Sequence, residues 1–286
     1  MSAKFGPAGN SEAFYAAGNK STLQAPEWLH GLGLELYEYQ CGQGVRGSDE
    51  MFRQMGENSA AFGIELSLHA PYFISLSGTE EEKRLKSIDY IRQSVSAAEK
   101  MKARIIVIHT GSAAKISREE AVRLAKDTIY RALNAIPDTE VAFGLETMGK
   151  KNQLGTLEEV LDICSIDGRL RPVVDFGHLN ARNCGGYFEK EDDYRRIFDM
   201  IADKLGADYA ENLHCHFSKI EYTAAGEKKH LTFEDNVFGP EFEGLAEVIA
   251  KDGLSPSIIC ESDGTMAKDA LIMKNMYLNA LSGNNG

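Results

Sequence analysis

Short apolar runs alternate with longer stretches of helical spacing along the chain. Eight of these runs have the length and composition of buried β-strands. They cover residues 4–7, 34–39, 65–69, 104–109, 141–146, 173–175, 212–216 and 257–261. Because strand and helix alternate without a break, the pattern predicts an α/β protein with a closed (β/α)8 barrel.

The stretches between the strands carry apolar residues on one helical face and polar residues at their starts. The apolar series are Leu85, Ile88, Ile91, Val95 and Ala98, and then Val122, Ala125, Ile129, Ala132 and Leu133. Capping-box pairs that predict helix starts are Thr79 with Glu82, Ser117 with Glu120, and Thr156 with Glu159. A doubly wound open sheet is the main competing fold, but residues 5–10, FGPAGN, lack its Gly-rich phosphate loop.

Length and composition fit one barrel. The chain has 286 residues, of which 43% are hydrophobic, and a barrel of this kind needs about 250 residues. We therefore expect a single domain over residues 1–286. No window resembles a membrane span, the first residues lack the apolar core of a signal peptide, and the five cysteines form no CxxC pair. These features favour a reduced, cytoplasmic protein.

The net charge of −12 argues against broad, nonspecific nucleic-acid binding, which needs a basic face. It leaves room for a local basic groove. Divalent metal ions would also offset several negative charges inside a site.

Histidines and acids stand where the predicted strands end. They are His69, His109, Glu146, Asp175, His178, His214, His216 and Glu261. Each has an ordinary explanation alone, as a hydrogen-bonded histidine or a helix-capping Asp. In a barrel, however, the carboxyl ends of all strands meet on one face. So many unpaired ionisable groups would be costly to bury, and imidazole with carboxylate suits Zn²⁺, with Mn²⁺ or Fe²⁺ as alternatives.

The chain resembles the endonuclease IV family of abasic-site DNA repair enzymes. The likeness lies in residues 68–112, which contain LHAPY and VIHTGS, and continues through GLETMG, VVDFGH and ICES in the same order. It covers roughly residues 60 to 280 and implies a TIM barrel with a trinuclear zinc site.

The resemblance also implies a ligand set and a reaction. His69 and His109 would hold one metal, and Glu146 would bridge it to a second held by Asp175, His216 and Glu261. His178 and His230 would hold a third. A hydroxide between the first two metals would cleave double-stranded DNA 5′ to an abasic nucleotide. We thus expect two to three zinc ions, with Glu146 and Glu261 catalytic.

This sequence departs from the family pattern in two places, and each weakens the assignment of the family's ligands and DNA contacts to this chain. The family's third metal also binds an Asp two residues before the matching histidine, and here that position is Lys228. Glu227 or Glu234 is a possible substitute, but the spacing is wrong, so His230 is either a ligand or a surface histidine. His216 is preferred over His214 as a ligand, with His214 expected one layer deeper as a supporting partner.

The second departure concerns the DNA-facing segments. Tyr72 matches a family position at the DNA face. An ordinary packed aromatic residue without a role in DNA binding is an equally good interpretation of Tyr72. Arg46, in an altered loop after the second strand, and Arg182 are further predicted DNA contacts, although each alone is also typical of a solvated charge.

Two other functions remain open. Xylose isomerase-like barrels resemble this chain too, and they use a single metal held by Glu, Asp, His and Glu, which Glu146, Asp175, His216 and Glu261 would supply. Such a sugar or sugar-phosphate isomerase or epimerase has no need for both His69 and His109. A nonenzymatic binding barrel that lost one metal is the third possibility. We expect a monomer that binds abasic duplex DNA and no membrane.

Overall fold

A parallel barrel forms the centre of the protein. The computed structural model describes residues 2–283, and all bounds below refer to that part of the chain. Its strands are β1 Lys4–Pro7, β2 Leu36–Gln40, β3 Glu65–His69, β4 Ile105–His109, β5 Ala142–Glu146, β6 Leu170–Asp175, β7 His214–Phe217, β8 Ile220–Thr223, β9 Gly226–His230 and β10 Ser257–Cys260. The barrel order is β1-β10-β7-β6-β5-β4-β3-β2, and β8 pairs with β9 in a separate hairpin.

Backbone hydrogen bonds between the first two strands close the barrel. The amide of Glu35 donates to the Phe5 carbonyl at 3.0 Å, and the amide of Gly9 donates to the Glu38 carbonyl at 2.9 Å. The other neighbours in the barrel pair in parallel register. The predicted (β/α)8 barrel is therefore confirmed, and the carboxyl ends of its strands form one mouth.

Helices surround the barrel. They are α1 Glu12–Ala16, α2 Ala25–Leu32, α3 Asp49–Phe62, α4 Glu81–Met101, α5 Arg118–Ala135, α6 Leu157–Cys164, α7 Phe176–Arg182, α8 Glu191–Leu205, α9 Ala207–Glu211, α10 Glu243–Asp252 and α11 Met266–Gly283, with a 3-10 turn at Thr22–Gln24. The apolar faces predicted for α4 and α5 are buried, except that Leu85 is exposed and Val122 is half-buried. Within residues 2–283, every helix falls short of the length and apolarity needed to cross a membrane.

The helix starts follow the predicted caps in two cases of three. Thr156 and Glu159 form the full capping box at α6, and the Ser117 side chain accepts the Glu120 amide at α5. The prediction at Thr79 is wrong, because α4 begins at Glu81 and its N-cap is Glu80, whose side chain makes no capping hydrogen bond.

The β8–β9 hairpin is the largest feature that the hydrophobic pattern does not predict. It follows β7 and lies over the carboxyl mouth of the barrel. The amide of Glu227 donates to the Gly149 carbonyl at 3.1 Å, and the amide of Lys151 donates to the Ala225 carbonyl at 3.0 Å. Gly226 has a φ of +93°, and a Cβ there would lie 2.2 Å from the Gly149 carbonyl oxygen. Only glycine permits this close approach.

Candidate metal centre

A first group of ligand atoms comes from three successive strand ends. His69, His109 and Glu146 are the last residues of β3, β4 and β5, and the parallel register pairs His109 with Glu146. Nε2 of His69 and Nε2 of His109 each lie 3.3 Å from Oε2 of Glu146. Two imidazoles thus face one buried carboxylate oxygen, an arrangement that suits a divalent cation.

A second group shares Glu146 with the first. One ligand atom each from Glu146, Asp175, His216 and Glu261 lies within 4.8 Å of the others. Nδ1 of His216 is 3.2 Å from Oε1 of Glu146 and 3.5 Å from Oε1 of Glu261. The β6–β7 register pairs Asp175 with His216, which places both side chains at the same level of the barrel.

The two oxygens of Asp175 have different surroundings. Oδ1 accepts the His178 amide at 2.7 Å and so caps α7. Oδ2 is buried and has no hydrogen-bond partner among residues 2–283. Nδ1 of His178 lies 3.3 Å from it, but that nitrogen is 3.0 Å from the Thr147 carbonyl, to which it donates. A buried carboxylate oxygen without a partner, surrounded by other ligand atoms, fits the chemistry of a divalent cation site.

The two glutamates of the second group, Glu146 and Glu261, have pKa values shifted in opposite directions. Burial raises the pKa of Glu261 to about 8; His216 opposes the shift, and the Glu146 and Asp175 carboxylates add to it. Burial alone would also raise the pKa of Glu146, but hydrogen bonds from His109, His178 and His216 outweigh it and hold the pKa well below the usual range. A divalent cation would stabilise all of these carboxylates as anions.

A third group lies between α7 and the hairpin. His178, Glu227 and His230 bring one ligand atom each within 4.8 Å of the others. Oε2 of Glu227 is 3.5 Å from Nε2 of His178, and the rings of His178 and His230 are 5.3 Å apart. His230 therefore lies in this third group, and its role as a metal ligand stays a prediction. Its Nδ1 also lies 2.8 Å from the Ser218 hydroxyl oxygen.

A β-bulge explains how Glu227 reaches this group. In the hairpin, Lys229 pairs with Glu221 and Glu227 pairs with Tyr222, so Lys228 is an extra, unpaired residue. One extra residue resets the alternation of side chains, which turns Glu227 and His230 to the same face. The ammonium of Lys228 instead lies 2.6 Å from Oε1 of Glu221. Glu227 lies three residues before His230, a spacing that would put the two side chains on opposite faces of a regular strand. The bulge at Lys228 puts them on the same face.

Tyr72 lies at the mouth of the barrel beside the first group. Its side chain is 57% exposed, and its ring stacks on His109 with centroids 5.5 Å apart and an interplanar angle of 21°. The side chain of Arg46 is exposed on the β2–α3 loop. Contact of these two residues with DNA stays a prediction.

Arg182 is engaged within the protein. Its guanidinium donates to the carbonyls of Met148, Lys150, Lys151 and Gln153 at distances of 2.7–3.2 Å. Burial, together with the charge of Arg118, lowers the pKa of Arg182. These bonds fix the β5–α6 loop, on which the hairpin rests, and the predicted contact with DNA is untested.

Sequence reasoning did not single out Glu38. This residue lies in the middle of β2, is fully buried, and contacts His214 and His216 just below the second group. The signal in the sequence is a carboxylate flanked by the aromatic residues Tyr37 and Tyr39 within a predicted strand. His214 lies one layer deeper than His216, as expected, with Nε2 3.1 Å from Oε2 of Glu38.

The family match agrees with this architecture. Residues 26–276 match the xylose isomerase-like TIM barrel family. The chain belongs to that family. An uncharacterized protein of Methanocaldococcus jannaschii is 28% identical over 257 residues, which span 89% of this chain and 91% of that protein. A probable endonuclease 4 of Acholeplasma laidlawii is 29% identical over 172 residues, 58% of each chain. The match to this second relative thus covers less than two thirds of its length.

Solved structures of different activities share the fold. A D-tagatose 3-epimerase-like protein superimposes with a TM-score of 0.67 at 19% identity, covering 88% of this chain and 91% of the other. Endonuclease IV from Thermus thermophilus gives a TM-score of 0.66 at 16% identity, covering 91% of this chain and 94% of the other. These likenesses establish the barrel alone, so function has to be argued from the site.

Proposed function

We propose that this protein is a metal-dependent phosphodiesterase that cleaves DNA 5′ to abasic sites. The observation that carries the proposal is the set of three adjoining ligand groups at one barrel mouth. Glu146 belongs to the first and second groups, and Asp175 and His178 join the second group to the third. Several cations close together are suited to a phosphodiester, whose attacking and leaving oxygens both carry charge. The similarity to probable endonuclease 4 supports the same activity.

The protein's own groups would orient the ligand nitrogens before any ion binds. Nδ1 of His69 lies 3.0 Å from the Ala70 carbonyl, and Nδ1 of His178 lies 3.0 Å from the Thr147 carbonyl. A carbonyl only accepts, so each Nδ1 carries a proton, and Nε2 is the nitrogen that would give up its proton and present a lone pair when a metal binds. When bound, divalent ions supply an acidified water and neutralise phosphate charge.

Glu146 and Glu261 are the proposed catalytic residues. Glu146 bridges the first and second groups from a fully buried position, and Glu261 follows β10 at the wall of the mouth. A cavity of about 520 Å³ opens there, bordered by Tyr72, Glu261 and His230 among others. A phosphate entering this cavity would meet the ligand groups from the solvent side.

A second candidate function is a sugar epimerase or isomerase with one metal. The observation in its favour is that Glu146, Asp175, His216 and Glu261 form a sufficient four-ligand site by themselves. Glu146 and Glu261 would then transfer protons on the two faces of the sugar. This function gives no role to His109 or to Glu227 as ligands, which is why we place it second.

The deciding experiment offers the purified, metal-loaded protein a duplex with a single abasic site. We expect a nick that leaves a 3′-hydroxyl end, that is absent from the matched intact duplex and that disappears after chelation. Intact abasic duplex, together with turnover of ketohexoses by the same preparation, would overturn the nuclease in favour of the epimerase.

The variant His109→Ala separates the two functions. It removes one imidazole from the first group and leaves all four ligands of the second group in place. A nuclease that uses both groups should lose its nicking activity, whereas a single-metal epimerase should keep its turnover. His30→Ala is the matched control, because His30 lies on α2, outside every ligand group.

A further inference from the structure

We propose that Glu38 is a positioning residue that fixes the tautomer of His216 and thereby makes Nδ1 the metal-binding nitrogen. The inference rests on the metal centre of the proposed function, but it holds for a nuclease and for an epimerase alike. It gives a role to the Glu38 carboxylate, which lies below the mouth and is not a member of the first, second or third ligand group.

Glu38 is a completely buried carboxylate whose oxygens accept from several donors. The Ser67 hydroxyl donates at 2.8 Å and the Gln40 amide nitrogen at 3.2 Å. Nε2 of His214 lies 3.1 Å from Oε2, and Nε2 of His216 lies 3.1 Å from Oε1. These contacts account for the lone pairs of an ionised carboxylate.

Both oxygens of Glu38 already act as acceptors, for Ser67 and for Gln40, so Nε2 of His216 is the donor of this hydrogen bond. When a metal is bound, the imidazole is neutral and has one N–H, which leaves the lone pair of His216 on Nδ1. That nitrogen lies 3.2 Å from Oε1 of Glu146 and 3.5 Å from Oε1 of Glu261, inside the second group. The carboxylate below the ring therefore sets which nitrogen faces the mouth.

His216 is oriented in the opposite sense to two other histidines of the centre. In His69 and His178, Nδ1 donates to a backbone carbonyl and Nε2 faces the ligand groups. Backbone carbonyls cannot be changed by substitution, whereas Glu38 is a side chain. A charged acceptor also raises the basicity of the ligating nitrogen more than a neutral carbonyl does. The orientation of His216 is thus the one that mutagenesis can test directly.

Glu38, His214 and His216 also lie within ligand distance of one another. An ion bound among them would require a lone pair on Nε2 of His216, and His216 would then bind metal through both nitrogens. Glu38 already accepts from Ser67 and Gln40 as well as from the two histidines. The hydrogen-bonded arrangement pairs Nε2 of both histidines with Glu38 and leaves Nδ1 of His216 to the second group, so we assign Glu38 as a support and not as a ligand.

The first test reads the tautomer in the wild-type protein. Selective ¹⁵N-histidine labelling of the zinc-loaded protein and long-range ¹H–¹⁵N spectra distinguish Nε2–H from Nδ1–H, and His216→Gln assigns the signal. We expect Nε2–H for His216. An Nδ1–H signal overturns the proposal without reference to any variant.

The second test measures metal affinity in the absence of substrate. Glu38→Gln keeps the volume of the side chain but replaces an acceptor oxygen with an N–H donor. We expect the affinity of the second group for Co²⁺, followed by visible absorption, to fall about 10–100-fold, and Glu38→Asp to recover part of it. Ser67→Ala is the control, because it removes a donor to Glu38 without touching His216. Wild-type affinity in a folded Glu38→Gln protein overturns the proposal, whereas a failed abasic-DNA assay alone would overturn only the nuclease.

Discussion

Oε2 of Glu227 lies 3.5 Å from Nε2 of His178, although Glu227 stands on the hairpin and His178 on α7. The bulge at Lys228 creates this contact because it turns Glu227 and His230 to the same side of β9. The third group consequently has a carboxylate, even though a lysine occupies the position at which the resemblance implies an aspartate.

The variant Glu227→Ala should therefore lose the ion of the third group and keep the ions of the first and second. Elemental analysis of dialysed protein measures the change. Glu234→Ala is the matched control, because Glu234 is exposed and pairs with Lys268 at 2.7 Å. Equal metal content in the two variants would remove Glu227 from the ligand set.

The strand ends were the most predictable part of the molecule. The predicted range of β3 is the observed one, and β4 and β5 begin one residue later than predicted and end as predicted. Each of these strands carries buried apolar residues and ends on the polar residue that faces the mouth, so pattern and structure agree. This is also why His69, His109 and Glu146 were found from sequence.

Glu38 and Glu227 could not be identified in the same way. The partners of Glu38 are His214 and His216, distant in sequence, and only the closed barrel brings them to it. The role of Glu227 depends on a bulge in GEKKH, a strand without apolar alternation. Local patterns report which residues are buried, whereas these two contacts depend on register and closure.

Replacement of the shared ligand should abolish activity without unfolding the protein. Glu146→Gln keeps the shape of the side chain, but a neutral amide holds two cations poorly. We expect nicking of abasic DNA to fall roughly 10²–10³-fold or more, with a circular dichroism spectrum like that of the wild type. Glu159→Gln, on the outer helix α6, serves as the control for the same chemical change. Undiminished nicking by Glu146→Gln would exclude Glu146 from the mechanism.

Metal binding should release protons and strengthen between pH 7 and pH 9. In the metal-free protein, burial disfavours the charged form of His69, but Glu146 and neighbouring carboxylates outweigh it and raise the pKa to about 9. Burial raises the pKa of Glu261 to about 8. Both groups thus hold protons at pH 7, and a metal ion must displace them.

Titration calorimetry with Zn²⁺ in buffers of different ionisation enthalpy measures this release. The number of protons released should fall as the pH rises through the two pKa values, and the apparent Kd should fall with it. An apparent Kd that is constant across this range would mean that neither group is a ligand.

The two arginines predicted at the DNA face should behave differently. Arg182 donates to carbonyls of the β5–α6 loop, including Met148 at 3.1 Å and Lys150 at 2.7 Å. Hydrogen bonds from a charged donor contribute about 1.5–3 kcal/mol, so Arg182→Ala should lower the free energy of unfolding by about that amount in urea titrations. Because the hairpin rests on this loop, the variant should also bind the ion of the third group less tightly.

Arg46→Ala provides the contrast. The side chain of Arg46 is exposed, and its backbone carbonyl accepts a hydrogen bond from the Tyr39 hydroxyl at 3.2 Å, a contact that the substitution preserves. Its stability should equal that of the wild type. If Arg46 contacts a phosphate, the slope of log K against log salt for abasic duplex should become shallower by about 0.9, whereas Arg182→Ala should leave that slope unchanged. A shallower slope for Arg182→Ala and an unchanged slope for Arg46→Ala would instead assign the DNA contact to Arg182.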